Sequence, residues 1–377
     1  MRLEPVEGGA ADLLPRLRAM LDGSGPALGL GMVDAPRDEV PDGTAAVITT
    51  SGSTGVPKSV VLSRDALLAS TSATAARIGE GAWLLTLPAG YVAGLQVMIR
   101  SLRAGYEPVA LAGRFSPQAF ARSTLALPTI SRYTSLVPVQ LTRLLDAAET
   151  DRMVAIALRA YDAILVGGQA LPAATLERAG DAGARIVRTY GSTETCGGCV
   201  YDGVPLDGVS LDIADGEVRI AGPLLADGYL GDDELTDSVF VNDATGTRWY
   251  RTGDAGLLDD GVLRVHGRID NVIVSGGINI SLDRVERVVR DVPGLAGAVV
   301  VPVTDDRWGE ASVIVVARGG AREHSDSAQL DHARAAVGAA LGSPARPVRL
   351  VFVDELAMLP SGKPDREAIR RAVAAAR

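Results

Sequence analysis

Residues 49–59 read TTSGSTGVPKS, a run of hydroxyls and glycines that closes on a lysine. Residues 52–59 differ from the P-loop pattern G-x-x-x-x-G-K-S only at Pro57, which stands where that pattern has its second glycine. The difference is physical: glycine lets the backbone curve around a phosphate, whereas proline fixes φ and removes a donor N–H. A P-loop also opens directly into a helix, but the apolar runs AAVITT (45–50) and SVVLS (59–63) flank this loop like two strands. The composition still suits phosphate, with hydroxyls at Thr49, Thr50, Ser51, Ser53 and Thr54, glycines at Gly52 and Gly55, and a cation at Lys58. A purely structural turn is the alternative for the loop taken alone.

Outward from this loop, short β-branched runs alternate with helical patterns. AAVITT (45–50), WLLTLP (83–88), YTSLVP (133–138), AILVGG (163–168) and RIVRTYG (185–191) read as strands. Segments near 64–78, 93–104, 139–148 and 172–182 read as helices, with Ser63 as an N-cap and Pro138 and Pro172 at helix starts. The alternation predicts an α/β fold with a mostly parallel sheet. From about 203 to 267, Gly- and Asp-rich turns separate EVRIAG (217–222), RWYRTGD (248–254) and GVLRVHG (261–267), a β-rich subregion. After GRID (267–270) a compact α+β pattern follows, with helices near 281–290, 326–341 and 365–376 and strands at 298–303, 312–317 and 348–353. The expected division is a large N-terminal domain, 1–269, and a small mobile C-terminal domain, 270–377.

The chain has 377 residues, 47% of them hydrophobic and 22% charged, with a formal net charge of −9 and no basic patch. Nucleic acid and anionic membrane surfaces are therefore not expected partners, and no apolar run long enough for membrane insertion occurs. The first residues lack the apolar core of a signal peptide, so a cytoplasmic protein is expected, with a homo-oligomer left open. Cys196 and Cys199 form a lone C-x-x-C, and His266, His324 and His332 are scattered. Redox or metal roles compete with the plainer reading of small residues lining a pocket or core. Lysine occurs only at 58 and 363, every other member of the 37 Lys and Arg residues being arginine.

Both lysines fall in motifs. TTSGSTGVPKS resembles the signature loop of the ANL family, which includes acyl- and aryl-CoA synthetases, peptide-synthetase adenylation domains and luciferases. Further stretches follow in that family's order: GGQALP (167–172) beside the adenine, TYGSTET (189–195), YRTGD (250–254), GRIDNVIVSGGINIS (267–281) at the hinge, and LPSGKPDR (359–366) around the C-terminal lysine. Single motifs are weak; five or six in order over residues 45–366 are specific. The loop lies near residue 50, so much of the N-terminal region usual in that family is absent.

The resemblance implies a two-step reaction. A carboxylate attacks the α-phosphate of ATP to form an acyl-adenylate, and the thiol of coenzyme A then takes the acyl group. The protein must align groups and offset negative charge on the separating phosphates. A compact ammonium on a flexible stem suits that task better than a planar guanidinium. Lys363 is then expected at the reacting carboxylate and α-phosphate, Lys58 at the departing pyrophosphate, and Glu194 as the Mg²⁺ ligand. The nucleotide set implied by the motifs comprises Thr50, Ser51, Gly52, Ser53, Thr54, Gly55, Lys58, Gly168, Gln169, Thr189, Tyr190, Gly191, Ser192, Thr193, Asp254, Arg268 and Lys363. Within it, Tyr190 is placed against adenine, Asp254 at the ribose hydroxyls and Arg268 at ribose or phosphate. Asp270 is the implied hinge, and Gly276 and Gly277 are expected to line the coenzyme A channel once Lys363 withdraws.

RYTSLVPVQLTRLLD (132–146) and TYGSTETCGGCVYDGVPLDGV (189–209) resemble the corresponding stretches of the family's actinobacterial o-succinylbenzoate–CoA ligases. That resemblance implies a small-molecule carboxylic acid as substrate, handled near Tyr91, Ser135, Gly191 and Gly197. PAGYVAGL (88–95) departs from those ligases, because Tyr91 stands at the place of their histidine. Neither Tyr91 nor Val92 is acidic, which disfavours an amino-acid substrate. Small residues at Gly191, Ser192, Gly197 and Gly198 leave room for an aryl group, or serve only the turn. Activation of another aryl or acyl acid for coenzyme A or a carrier protein, and a non-catalytic nucleotide-binding protein, are the other readings.

Overall fold

The computed structural model describes residues 1–31, 39–50, 57–111, 113–318, 326–359 and 362–375. The expected loop ligands Ser51, Gly52, Ser53, Thr54 and Gly55 lie outside the described residues, as does His324. Two sheets carry the first two hundred residues. One orders its strands Leu3–Pro5, Ala27–Leu30, Thr44–Thr50, Lys58–Ser63 and Gly228–Tyr229, the first three parallel and the last two antiparallel. The other runs Val204–Pro205, Gly197–Tyr201, Ile186–Ser192, Ala163–Val166, Arg132–Leu136, Ala82–Leu85 and Val109–Ala110, parallel from Ile186–Ser192 onward.

All four residues of Ala27–Leu30, Ala82–Leu85 and Ala163–Val166 are buried, as expected of strands covered on both faces. The helices Arg64–Ile78 and Val92–Arg103 share one core with both sheets, including Ile48, Leu62, Leu67, Trp83, Leu95 and Val200. Four more helices, Pro117–Ala126, Pro138–Ala148, Arg152–Arg159 and Ala173–Asp181, close the outer face of the larger sheet over Phe120, Leu141, Val154 and Ile164. Trp83 stacks on Tyr133 with ring centroids 5.1 Å apart, and truncating such a buried ring costs about 3–5 kcal/mol. Local signals act as read: Ser63 caps Arg64–Ile78 by accepting from the Ala66 N–H at 3.2 Å, and Pro138 opens Pro138–Ala148.

A third sheet is wholly antiparallel. Its path is Ser210–Ala214, Glu217–Ala221, Arg248–Asp259 and Phe240–Asn242, with Val262–Arg268 paired to Arg248–Asp259. The fourth draws only on residues beyond 270: Ile278–Ser281, Val272–Ser275, Gly309–Ala317 and Val299–Asp305, with Arg349–Val353 parallel to Gly309–Ala317. The helices Leu282–Arg290, Asp326–Leu341 and Arg366–Ala375 belong to this C-terminal unit, whose own cores centre on Val285, Val300, Ile314, Val337 and Ile369. Several elements escaped the sequence reading, among them the strands Ala27–Leu30 and Gly197–Tyr201, the helices Pro117–Ala126, Arg152–Arg159 and Asp233–Val239, and the helix Ala10–Asp22. The last buries Leu13, Leu17 and Met20, a spacing of four and three that pattern alone supports.

Candidate active site

The C-terminal lysine is delivered by a tight turn. Leu359 N–H donates to the Lys363 carbonyl at 2.8 Å, Gly362 N–H donates to the Leu359 carbonyl at 2.9 Å, and Met358 bridges Pro364. Gly362 has φ of 80°, in the left-handed region where glycine costs nothing. The turn sits on the N-terminal part: the nearest atom to a side chain at Gly362 would be Val137 Cγ2 at 3.6 Å, and a side chain at Gly168 would lie 3.6 Å from Lys363 Cε. Taken over the whole residue Lys363 is exposed; its stem runs beside Gly168, and its ammonium end is crowded by the protein around it. Burial pulls its pKa below the ordinary lysine value, while the carboxylates of Glu194 and Asp254 act in the opposite sense.

Those carboxylates come from different sheets. Glu194 stands on the short 3-10 turn Thr193–Thr195 that follows Ile186–Ser192, and its Oε1 accepts from the Tyr229 hydroxyl at 3.0 Å. Tyr229 is nearly buried, and Lys58 Nζ lies 5.6 Å from its ring centroid, within cation–π range. Lys58 begins its strand opposite Thr50, whose hydroxyl donates to the Lys58 carbonyl at 3.4 Å. Lys58, Tyr229 and Glu194 thus form one line across the edge of the first sheet. The sequence reading missed Tyr229; an aromatic set among the glycines of ADGYLG (226–231) was the available signal.

Asp254 ends the YRTGD stretch with only 19% of its side chain exposed. Its Oδ2 accepts from the Tyr190 hydroxyl at 2.6 Å, and Arg268 Nη1 lies 3.6 Å from Oδ1. Burial raises the Asp254 pKa; the Tyr190 hydrogen bond and the Arg268 charge oppose it, and Asp283 and Asp270 add to it. The turn before Asp254 is built for this placement. Gly253 has φ of 69° and leaves space that the Arg268 guanidinium fills, since a Cβ there would meet Nη2 at 2.7 Å. Glu217, nearly buried on the neighbouring strand, accepts from Gly253 N–H at 3.0 Å and from Arg251 Nε at 2.9 Å. Its role was not legible from EVRIAG.

The remaining expected residues distribute as follows. Thr189 donates to the Val166 carbonyl at 3.4 Å, bringing the strand under Gly167, Gly168 and Gln169. Ser192 and Thr193 lead into the Glu194 turn, with Ser192 N–H donating to Thr195 Oγ1 at 2.9 Å. Of the two readings of Gly191, room for an aryl group or a purely structural role, the geometry fits the second: a Cβ there would meet the Gly197 carbonyl at 2.1 Å, so it serves the close pairing of two strands. Gly197 rests against the Gln96 side chain, which is buried and bonded to Thr71 and the Leu67 carbonyl. Tyr91 stands at the N-cap position of Val92–Arg103 without a side-chain capping bond and is half-buried, and Ser135 is buried on Arg132–Leu136. Gly276 and Gly277 turn the hairpin between Val272–Ser275 and Ile278–Ser281 at φ of 57° and 82°, with Gly276 against Trp308. Cys196 and Cys199 are fully buried free thiols within the main core, as the plainer reading held.

The arrangement links Lys58 to Glu194 through the Tyr229 ring, holds Asp254 between Tyr190 and Arg268, and sets the Lys363 stem beside Gly168. It can offset a polyanion along its length while holding hydrogen-bond acceptors for vicinal hydroxyls. Among the described residues no cluster of three His, Cys, Asp or Glu exists to cage a metal. The lone carboxylate of Glu194 fits a magnesium ion that brings phosphate oxygens as its other ligands.

Residues 11–230 match the family of AMP-binding enzymes, and residues 284–363 match the AMP-binding enzyme C-terminal domain. The chain belongs to the AMP-binding enzyme family. Among its relatives, a probable 2-succinylbenzoate–CoA ligase of Mycobacterium tuberculosis is 38% identical over 382 residues, covering 97% of this chain and 96% of that one. The o-succinylbenzoate CoA synthetase of Bacillus subtilis, solved with the acyl-adenylate intermediate OSB-AMP, superposes with a TM-score of 0.73 at 26% identity, covering 94% of this chain and 80% of that one. The amide bond synthetase McbA of Marinactinospora thermotolerans superposes equally well, at a TM-score of 0.73 and 28% identity, over 97% of this chain and 78% of that one.

Proposed function

We propose that this chain is an ATP-dependent 2-succinylbenzoate–CoA ligase that acts through an acyl-adenylate in menaquinone biosynthesis. The observation that carries the catalytic part is the turn bearing Lys363, seated against Val137 with the lysine stem beside Gly168 of the N-terminal part. The similarity to a ligase of that activity over nearly the whole of both chains supports the choice of acid.

In the first step a carboxylate oxygen of the acid bonds to the α-phosphorus of ATP, and the bond from that phosphorus to the bridging oxygen breaks, releasing pyrophosphate. Lys363 screens the incoming carboxylate from the α-phosphate, both of which are anions, and holds them in line. Lys58, one Tyr229 ring away from Glu194, faces the departing phosphates. Asp254 takes the ribose hydroxyls, Arg268 steadies it, and Tyr190 walls the adenine with its ring while its hydroxyl holds Asp254. Glu194 would hold a magnesium ion, which when bound would supply further charge neutralisation on the phosphates.

In the second step the coenzyme A sulfur attacks the acyl carbon and AMP leaves with the bonding pair. Lys363 then has no task at the reacting groups, and the C-terminal unit (taken as 270–377) pivots at Asp270 to bring the hairpin of Gly276 and Gly277 to the thiol path.

A panel of acids in a pyrophosphate-release assay tests this. Release with 2-succinylbenzoate, followed by thioester formation on adding coenzyme A, is the expected result. Release only with a different acid overturns the substrate. The likeness to an amide bond synthetase favours one second reading, in which an amine accepts the acyl group, and amide rather than thioester product would establish it. In Lys363→Ala, adenylation should vanish while thioester formation from supplied acyl-adenylate persists.

A further inference from the structure

The helix Leu282–Arg290 starts at the Ser281 cap, and its second residue, Asp283, sits where the helix dipole favours an anion. Asp283 does more than serve the helix. Its Oδ2 accepts the main-chain N–H of Arg268 at 2.8 Å, and its Oδ1 accepts from Asn271 Nδ2 at 2.8 Å. One carboxylate therefore grips the chain on both sides of Asp270. The approach is close enough to require Gly267, where a Cβ would meet Asp283 Cβ at 2.4 Å.

The two bonds differ in what they span. Asn271 and Asp283 lie on the same side of Asp270. Arg268 ends Val262–Arg268, a strand of the third sheet paired opposite Asp254. The Arg268 N–H bond to Asp283 thus crosses the pivot, and a turn of the backbone at 269–271 must break it. The Arg268 guanidinium reinforces the same orientation by a two-pronged contact with Asp270, at 3.0 Å to each oxygen.

From Asp283 a second contact leads to the catalytic turn. Arg366 follows Lys363 by three positions, and its Nη2 lies 3.8 Å from Asp283 Oδ1. Arg366 also bonds the nearly buried Glu286 at 2.8 Å and the Val300 carbonyl at 2.9 Å, and Glu286 in turn takes Arg290 and the Val300 N–H. The root of the Lys363 turn is therefore fastened to the same helix whose first turn clasps the pivot.

We infer that Asp283 is a positioning residue: it clasps Arg268 across Asp270 and so holds the C-terminal unit in the orientation that presents Lys363 to the N-terminal part. The inference deepens the proposed function and rests on it for the two-step assignment. Breaking the clasp shifts the equilibrium away from the Lys363-in orientation by roughly ten- to a hundredfold, the range for a hydrogen bond to a charged group.

Two measurements decide it. The first needs no substrate: spin labels at Met153→Cys and Arg371→Cys, both exposed positions on opposite units, report the distance between them while the native cysteines stay buried. The otherwise unmutated protein should give one dominant distance, and Asp283→Ala should populate a second. An unchanged distribution overturns the clasp. The second separates the half-reactions, as ATP–pyrophosphate exchange and as thioester formation from supplied acyl-adenylate. Asp283→Ala should lower the exchange kcat about tenfold or more with little change in the KM for ATP, and leave the thioester step unchanged or faster. Asp283→Asn, which keeps an acceptor oxygen for Arg268, should recover part of the exchange rate and the dominant distance. Equal loss of both half-reactions, or no recovery in the Asn variant, assigns Asp283 to the fold alone. If the unmutated enzyme turns over an acid other than 2-succinylbenzoate, the substrate proposal falls while the distance measurement still judges the clasp.

Discussion

Tyr190 and Asp254 are 64 positions apart, yet the tyrosine hydroxyl donates to the carboxylate at 2.6 Å, a length typical of a charge-assisted bond. Asp254 is largely withdrawn from water, which raises its pKa, and this donor and Arg268 oppose that rise. In Tyr190→Phe the ring remains and the donor goes. The Asp254 pKa should then rise further, and the KM for ATP should increase by roughly tenfold, corresponding to about 1.5 kcal/mol for a bond to a charged group. The acid limb of the activity profile should move to higher pH, which a pH series of kcat/KM for ATP checks. An unmoved acid limb with an unchanged KM would contradict the role given to this pair.

Lys363 carries a different pH signature. Burial lowers its pKa, so the ammonium form is lost at a lower pH than the ordinary lysine value of about 10.4. Because adenylation uses the charged form, its rate should decline on the alkaline side before free lysine would titrate. The thioester half-reaction should show no such limb. Lys363→Arg, whose guanidinium does not titrate in this range, should keep little activity but lose the alkaline decline. Half-reaction rates across pH 7 to about 10 provide the comparison.

Gly191 is constrained by the strand beside it. A Cβ placed 2.1 Å from the Gly197 carbonyl cannot be accommodated without parting Ile186–Ser192 from Gly197–Tyr201. Gly191→Ala should therefore destabilise the protein by roughly 3 kcal/mol, the upper part of the range for overpacking, visible as a lower denaturation midpoint. Nucleotide affinity should fall too, since Glu194 follows directly on that strand. A variant with unchanged stability would show that the strands have room to separate.

The two thiols should be inert in the folded protein. Both are fully buried, and burial raises both pKa values, that of Cys199 to about 12. A disulfide-exchange reagent at neutral pH should titrate no thiol until denaturant is added, and then two. Fast reaction of either one in the native state would reopen the redox reading.

The lysine positions, the order of the motifs and most core elements were legible because each depends on near neighbours in the chain. A helix such as Arg64–Ile78 declares itself through its cap, and a buried strand such as Ala163–Val166 through an unbroken apolar run. Tyr229, Glu217 and Asp283 were not legible. Each acts on a partner 15 to 36 residues away; the glycines around Tyr229 mark it without naming that partner, and nothing in the local pattern of Glu217 or Asp283 distinguishes it from an ordinary strand or helix-start residue. The glycine at 191 shows the converse, for it was noticed with two reasons left open, and only the register of the neighbouring strand reveals which atom fills the vacant space.

What the chain determined by itself is which chemical groups exist and in what order: two ammonium groups at 58 and 363, carboxylates at 194 and 254, and the turns and caps that surround them. What only the tertiary structure decided is which partner each group meets: Glu194 the Tyr229 hydroxyl, Asp254 the Tyr190 hydroxyl, the Lys363 stem Gly168, and Asp283 the Arg268 N–H. Caps, turns and periodicity are energies between neighbours and can be read along a line. These meetings arise from packing separate sheets and a C-terminal unit against one another, and burial and charge coupling across that gap have no counterpart in the linear order.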